Sequence, residues 1–112
     1  MLALLLLLLV FPLVEGCERV DNTFVVNDVG GSVASAELRL CGSRVELSRS
    51  GHRLRGTKRI SCEGEGDIVV RLSDGRRASC HIGYVTPGAE QSFEFNVEGA
   101  QCLTSVADRS PP

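Results

Sequence analysis

The stretch IVVRLSDGRRASCHIGY, residues 68–84, decides the fold class. Ile68, Val70 and Leu72 recur at every second position, and so do Ala78, Cys80, Ile82 and Tyr84. A period of two marks strands with one buried face. For both apolar sets to share that face, the loop between them must hold an odd number of residues. Ser73-Asp74-Gly75 meets this, with Gly75 at the left-handed position of a three-residue hairpin loop. The register that follows sets Val70 against Ala78, Ile68 against Cys80 and Asp67 against His81.

The same period extends outward in both directions. Phe24 and Val26 open the series, followed by Ala34, Ala36, Leu38 and Leu40. Val45 and Leu47, then Leu54 and Ile60, mark two further strands, and Phe93, Phe95 and Val97 a last one. Turn residues separate them: Gly30-Gly31, Gly42-Ser43, Ser50-Gly51, Gly64-Glu65-Gly66 and Pro87-Gly88. A four-residue link, Cys41 to Arg44, sets Leu40 against Val45 and Leu38 against Leu47. A two-residue Ser50-Gly51 turn sets Leu47 against Leu54. No apolar run at helical spacing follows residue 20, so the domain is expected to be all-β with about seven strands. Two antiparallel meanders, strands two to four and five to seven, would stack into a small disulfide-stapled β-sandwich; a small closed β-barrel is the alternative.

Upstream lies MLALLLLLLVFPLV, ending before Glu15, Gly16 and Cys17. The run is shorter than the ~20 apolar residues that a membrane-spanning helix needs. It has the length of a secretory leader, with Pro12 and the small Gly16 near its exit. Residues 1–16 are therefore expected to be a signal peptide, 17–102 one β domain and 103–112 a flexible tail. The mature domain is small and lacks Trp, so cross-links would offset a limited core.

Five cysteines are available, and their spacing in an exported chain suggests disulfides rather than a metal site. No Cys-x-x-Cys pair supports zinc, and Glu63 to Asp67 lack the ligand spacing of a calcium loop. Neither metal nor cofactor is expected. Cys41–Cys62 is the expected bridge from the strand register, and Cys80–Cys102 follows by remainder. Cys17 is left over; Val-Glu-Gly-Cys partly resembles a bacterial lipoprotein cleavage box, which would attach a lipid there.

With 12 basic and 14 acidic residues, whole-molecule charge directs the chain to neither nucleic acid nor membrane. The charge is concentrated locally, in SRSGHRLRGTKRIS, residues 48–61. Alternation places Arg53, Arg55 and Arg59 on an outer face, with Arg39 and Arg44 on neighbouring strands. Glu46 is expected between Arg39 and Arg55, and Glu37 within reach. The remaining cationic excess makes these five arginines the candidate binding residues. No aromatic side chains interleave with them, which argues against nucleic acid. Asp67 beside His81, with Ser79 on the same strand and Asn96 on the far side, is half of a nucleophilic triad. An open sheet supplies neither pocket nor oxyanion hole, so no catalytic residue is assigned there.

The expected function is that of a small secreted or periplasmic binding or inhibitor-type protein. It would present a rigid β-surface to a protein or polyanionic partner, through the arginine face or the loop Thr86 to Gln91. The alternatives are a cell-envelope structural protein, membrane-attached only if Cys17 is lipidated, and a weak hydrolase using Asp67 and His81.

Overall fold

The computed structural model describes residues 20–105; the expected leader, Cys17 and most of the expected tail lie outside them. The alternation at 68–84 forms a hairpin of β6 (Gly64–Leu72) and β7 (Arg77–Val85). Val70 faces Ala78, Ile68 faces Cys80 and Asp67 faces His81. Leu72 N donates to Arg76 O at 2.9 Å, and Gly75 takes φ 93°, which a residue with a Cβ adopts only with strain.

Around this hairpin run β1 (Asp21–Asp28), β2 (Val33–Leu40), β3 (Ser43–Glu46), β4 (Ser48–Ser50), β5 (Arg53–Arg59), β8 (Ser92–Glu98) and β9 (Gln101–Thr104). They form two sheets, β4-β5-β1-β8-β9 and β3-β2-β6-β7, packed as a sandwich rather than a closed barrel. The chain makes a hairpin within one sheet and then crosses to the other. The two expected meanders are therefore corrected. Strand three breaks at Leu47, its first half pairing with β2 and its second with β5. Leu47 is buried between the sheets, and its N–H donates to Ala36 O at 2.9 Å. The N-terminal strand β1 is central, antiparallel to β5 and parallel to β8. Among the described residues the strands number nine instead of about seven, and β9 runs two residues past the expected domain limit at 102.

Registers near the new hairpins shift by two residues, which keeps Leu38, Leu40, Leu47 and Leu54 inward. Ala34, expected inward, is exposed, because a bulge between Val33 and Ser35 turns Val33 into the core instead. Leu38 meets Val45 across a two-residue Cys41-Gly42 turn, in place of the expected four-residue link. Both turn residues have positive φ, 53° and 75°, as a type I′ turn requires. Ser50 pairs with Arg53, so the next turn is Gly51-His52 rather than Ser50-Gly51. Tyr84 does not face inward. The ladder slips at Gly66 and Asp67, Gly83 opposite takes φ 85°, and the bulge turns Val85 into the core and Tyr84 out to solvent.

Phe24, Val26, Leu38, Leu54, Ile68, Val70, Val85 and Val97 are almost fully buried between the sheets. Burial of each such side chain contributes about 1.5–3 kcal/mol. Phe24 stacks on Phe93 of the parallel neighbour, ring centroids 5.2 Å apart. Opposite Phe24 on β5 stands Gly56, where a Cβ would lie 2.7 Å from Leu47 Cδ2. A side chain at this position would have to push aside the end of the Leu47 side chain that crosses between the sheets.

The disulfides are Cys41–Cys62 and Cys80–Cys102. The first ties the β2–β3 turn to the β5–β6 connection. The second joins β7 to β9, the edge strands on one side of the sandwich. On the other side, the peptide chain through Leu47 joins edge strands β3 and β4. Both open sides are thereby linked covalently.

Candidate functional site

The sheet crossing at Leu47 decides where the arginines go. Arg53, Arg55 and Arg59 alternate outward along β5, because Leu54 and Gly56 face the core. Arg39 and Arg44 stand on the outer face of the other sheet, directly opposite one another on β2 and β3. The expected single face of five arginines is corrected to two separate groups. The Arg39–Glu46–Arg55 ladder does not form, since Glu46 pairs with Glu37 and Arg55 with Ser48 and Val25.

The two groups differ in compensation. Arg39 Nε donates to Glu37 Oε1 at 2.9 Å. That hydrogen bond lowers the Glu37 carboxyl below its ordinary value, and the charges of Arg39, Arg44 and Arg71 add to it. Glu65 helps line the 300 Å³ hollow flanked by Arg39 and Arg44. On β5, Arg59 faces Asp21 across the ladder. Arg53 and Arg55 face no carboxylate: their ladder neighbours are Ser50 and Asn27, and Ser48 and Val25. Val25 points outward yet is only 3% exposed; its ladder neighbours are Arg55 on β5 and Glu94 on β8. Glu94 is turned to Asn27, whose Nδ2 donates to it at 2.8 Å and to Asn96 Oδ1 at 3.0 Å. The outer face of the five-stranded sheet thus has a basic stripe on β5, a polar row on β1 and carboxylates on β8.

At the upper end of β5, Arg53 and His52 border a hollow of about 380 Å³ with Asn27, Asp28 and Val29. Its floor was not anticipated from the sequence. Asp28 is buried, and its two carboxylate oxygens accept Val33 N–H at 3.2 and 3.3 Å. Arg49 Nη1 lies 3.6 Å from Asp28 and donates to Gly51 O at 3.0 Å, while Nη2 donates to Val33 O. Arg49, itself partly exposed, therefore ties together the β1–β2 and β4–β5 turns, its side chain on the face of β4 and β5 opposite the stripe. The available signal was an aspartate placed immediately before a Val-Gly-Gly turn, a position from which its side chain can accept a backbone N–H beyond the turn.

Asp67 and His81 come together on the outer face of β6 and β7, at 3.4 Å, with Glu65 at 3.6 Å from the other ring nitrogen. The carboxylates lie on opposite sides of an imidazole whose side chain is 62% exposed. Asn96 is not beside them, because β8 belongs to the other sheet. Among the described residues, no three His, Cys, Asp or Glu side chains converge as a metal site. Gln91, at the end of the loop Thr86 to Gln91, is held to β1: its N–H donates to the buried Asn22 Oδ1, and its carbonyl accepts Thr23 N–H, both at 3.3 Å.

No family model matches the chain, and neither does any curated protein. Among solved structures, the NMR structure of a protein from Eubacterium rectale aligns over 86% of this chain and 97% of that one. Its TM-score is 0.54 and its sequence identity 12%. The likeness is one of fold.

Proposed function

We propose that this chain is an exported binding module, not an enzyme, that engages an acidic protein or polyanion through the β5 stripe. One observation carries this reading: Arg53 and Arg55 stand side by side on β5 with no carboxylate at any adjoining ladder position. Each guanidinium keeps its donors for a partner. The scaffold supports them from behind, because β5 is paired on both sides and the adjoining turn is braced by Arg49. Little ordering entropy is then lost on contact. The two disulfides are compatible with an extracellular or periplasmic location.

The test is retention on an anionic resin at low salt, comparing the natural chain with Arg53→Ser/Arg55→Ser and with Arg39→Ser/Arg44→Ser. Both double variants remove the same formal charge, so net charge alone would shift them equally. The expected result is a markedly earlier elution of the β5 variant, with the natural chain losing retention as salt rises. Equal elution of the two variants would contradict the assignment.

A further inference from the structure

We propose a second interaction site on the other sheet: the free edge of β7, which accepts an extended acidic peptide as an added strand. Three of the sandwich's edge strands are short, β3 and β9 of 4 residues and β4 of 3, as edges usually are when a protein avoids strand pairing with other chains. β7 has 9 residues and, among the described residues, its only ladder is to β6; β9 approaches it through the Cys80–Cys102 bridge, Cα atoms 5.4 Å apart, but shares no ladder with it. The Leu72–Arg76 bond that closes the hairpin sets the phase of the ladder. Hydrogen-bonded pairs recur at every second residue, so Ala78 and Cys80 bond inward to Val70 and Ile68. The N–H and C=O groups of Arg77, Ser79 and His81 consequently point away from the sheet. Their side chains stand on its outer face.

Charge selects the occupant. Arg77 lies directly opposite Arg71, and neither makes an ion pair among the described residues. Like charges facing each other across a ladder are destabilising. On the far side of Arg71 the row continues to Ser35, and Glu37, diagonal to Arg71, feels its charge. Arg77, at the edge, has only Arg71 opposite it. The vacant position beside Arg77 is the outward one, where an added strand would place a side chain. An acidic residue at that position neutralises the pair while the main chain supplies the hydrogen bonds, as in β-strand addition generally. A second copy of this chain fits poorly: antiparallel self-pairing about Ser79 would set Arg77 against the partner's His81.

The experiment is amide hydrogen exchange by NMR on the oxidised chain, with a 9-residue capped peptide of alternating threonine and glutamate matched to β7. A threonine–lysine peptide serves as control. In the free protein the amides of Arg77, Ser79 and His81 should exchange rapidly, and the glutamate peptide should slow them by about tenfold or more. The lysine peptide should have no effect. Arg77→Ser should weaken binding by about threefold, the size expected for one exposed charge contact. Ser79→Pro removes an outward N–H without touching the β6 ladder, and should abolish protection while the protein stays folded. Protection of these amides in the isolated chain would show the edge already occupied and overturn the proposal. Equal protection by both peptides would overturn the choice of an acidic partner. These comparisons on the natural chain decide the matter even if the proline variant does not fold.

Discussion

Tyr84 shows how one displaced residue becomes measurable. Period-two reading placed it in the core, but the bulge at Gly83 turns it outward, where its hydroxyl donates to Glu63 Oε1 at 3.2 Å. That bond, reinforced by the charge of Glu63, raises the phenol above its ordinary value of 10.0. A raised value means the neutral form is favoured in the folded state. The bond's contribution is fully present below the unfolded value and is lost as pH rises through the folded one. The chain has one Tyr and no Trp, so phenolate absorbance reports this residue alone. Glu63→Gln should move the titration midpoint back down; an unchanged midpoint would contradict the bond. Asp74 is the opposite case. Hydrogen bonds from the backbone and then the side chain of Arg76 hold its carboxyl below the ordinary 3.8. Its contribution is present above that value and is lost as pH falls through the lowered one, so Asp74→Asn should flatten the acid limb of a melting-temperature profile. Arg49→Ala should destabilise by about 1–3 kcal/mol, because the buried Asp28 carboxylate would keep only Val33 N–H as a partner. A change below about 0.5 kcal/mol in denaturant unfolding would show the brace to be unimportant.

At the level of elements, the legible and illegible parts of the fold divide for a physical reason. Alternation shows which side of a strand is apolar, and it placed Ala36, Leu38, Leu54, Ile68, Val70 and Val97 inward correctly. The β6–β7 register was readable because its loop is short and its parity is set by the two faces. Alternation does not show which sheet a strand joins, since both sheets of a sandwich bury an inward face. The break at Leu47 and the parallel β1–β8 pair were hidden for that reason, and the arginine face was misassembled with them. Cys41–Cys62 follows from a ladder register that does not form; the bridge instead spans a turn and a connection. In the sequence, Gly66 reads as a turn residue. In the structure it lies in β6 with a virtual Cβ 2.8 Å from Arg39 O, a backbone atom that cannot swing away. Gly66→Ala should therefore destabilise by about 1–3 kcal/mol. Gly56→Ala meets the end of the Leu47 side chain instead and should be milder. Equal melting temperatures for Gly66→Ala and the natural chain would contradict this packing.

The whole molecule is a thin core held between two covalently linked edges. Losing a native disulfide in a small domain costs about 2–5 kcal/mol, a large share of a total stability of about 5–15 kcal/mol. Without Cys80–Cys102, β9 is held by its ladder to β8, its only ladder among the described residues, so Cys80→Ala/Cys102→Ala should lose amide protection in β8–β9 before β6–β7. Uniform loss would show the bridge stabilising the molecule globally rather than this edge. The sandwich also keeps its two outer faces apart, which turns the functional question into one of location. Backbone amide shifts titrated with poly-L-glutamate at low salt address it most directly. A β5 site predicts perturbations at Ser48–Ser50 and Arg53–Arg59, separate from those expected along the β7 edge, fading as salt approaches about 0.15 M, where screening extends over roughly 8 Å. Perturbations centred on Arg39 and Arg44, or none at all, would contradict it.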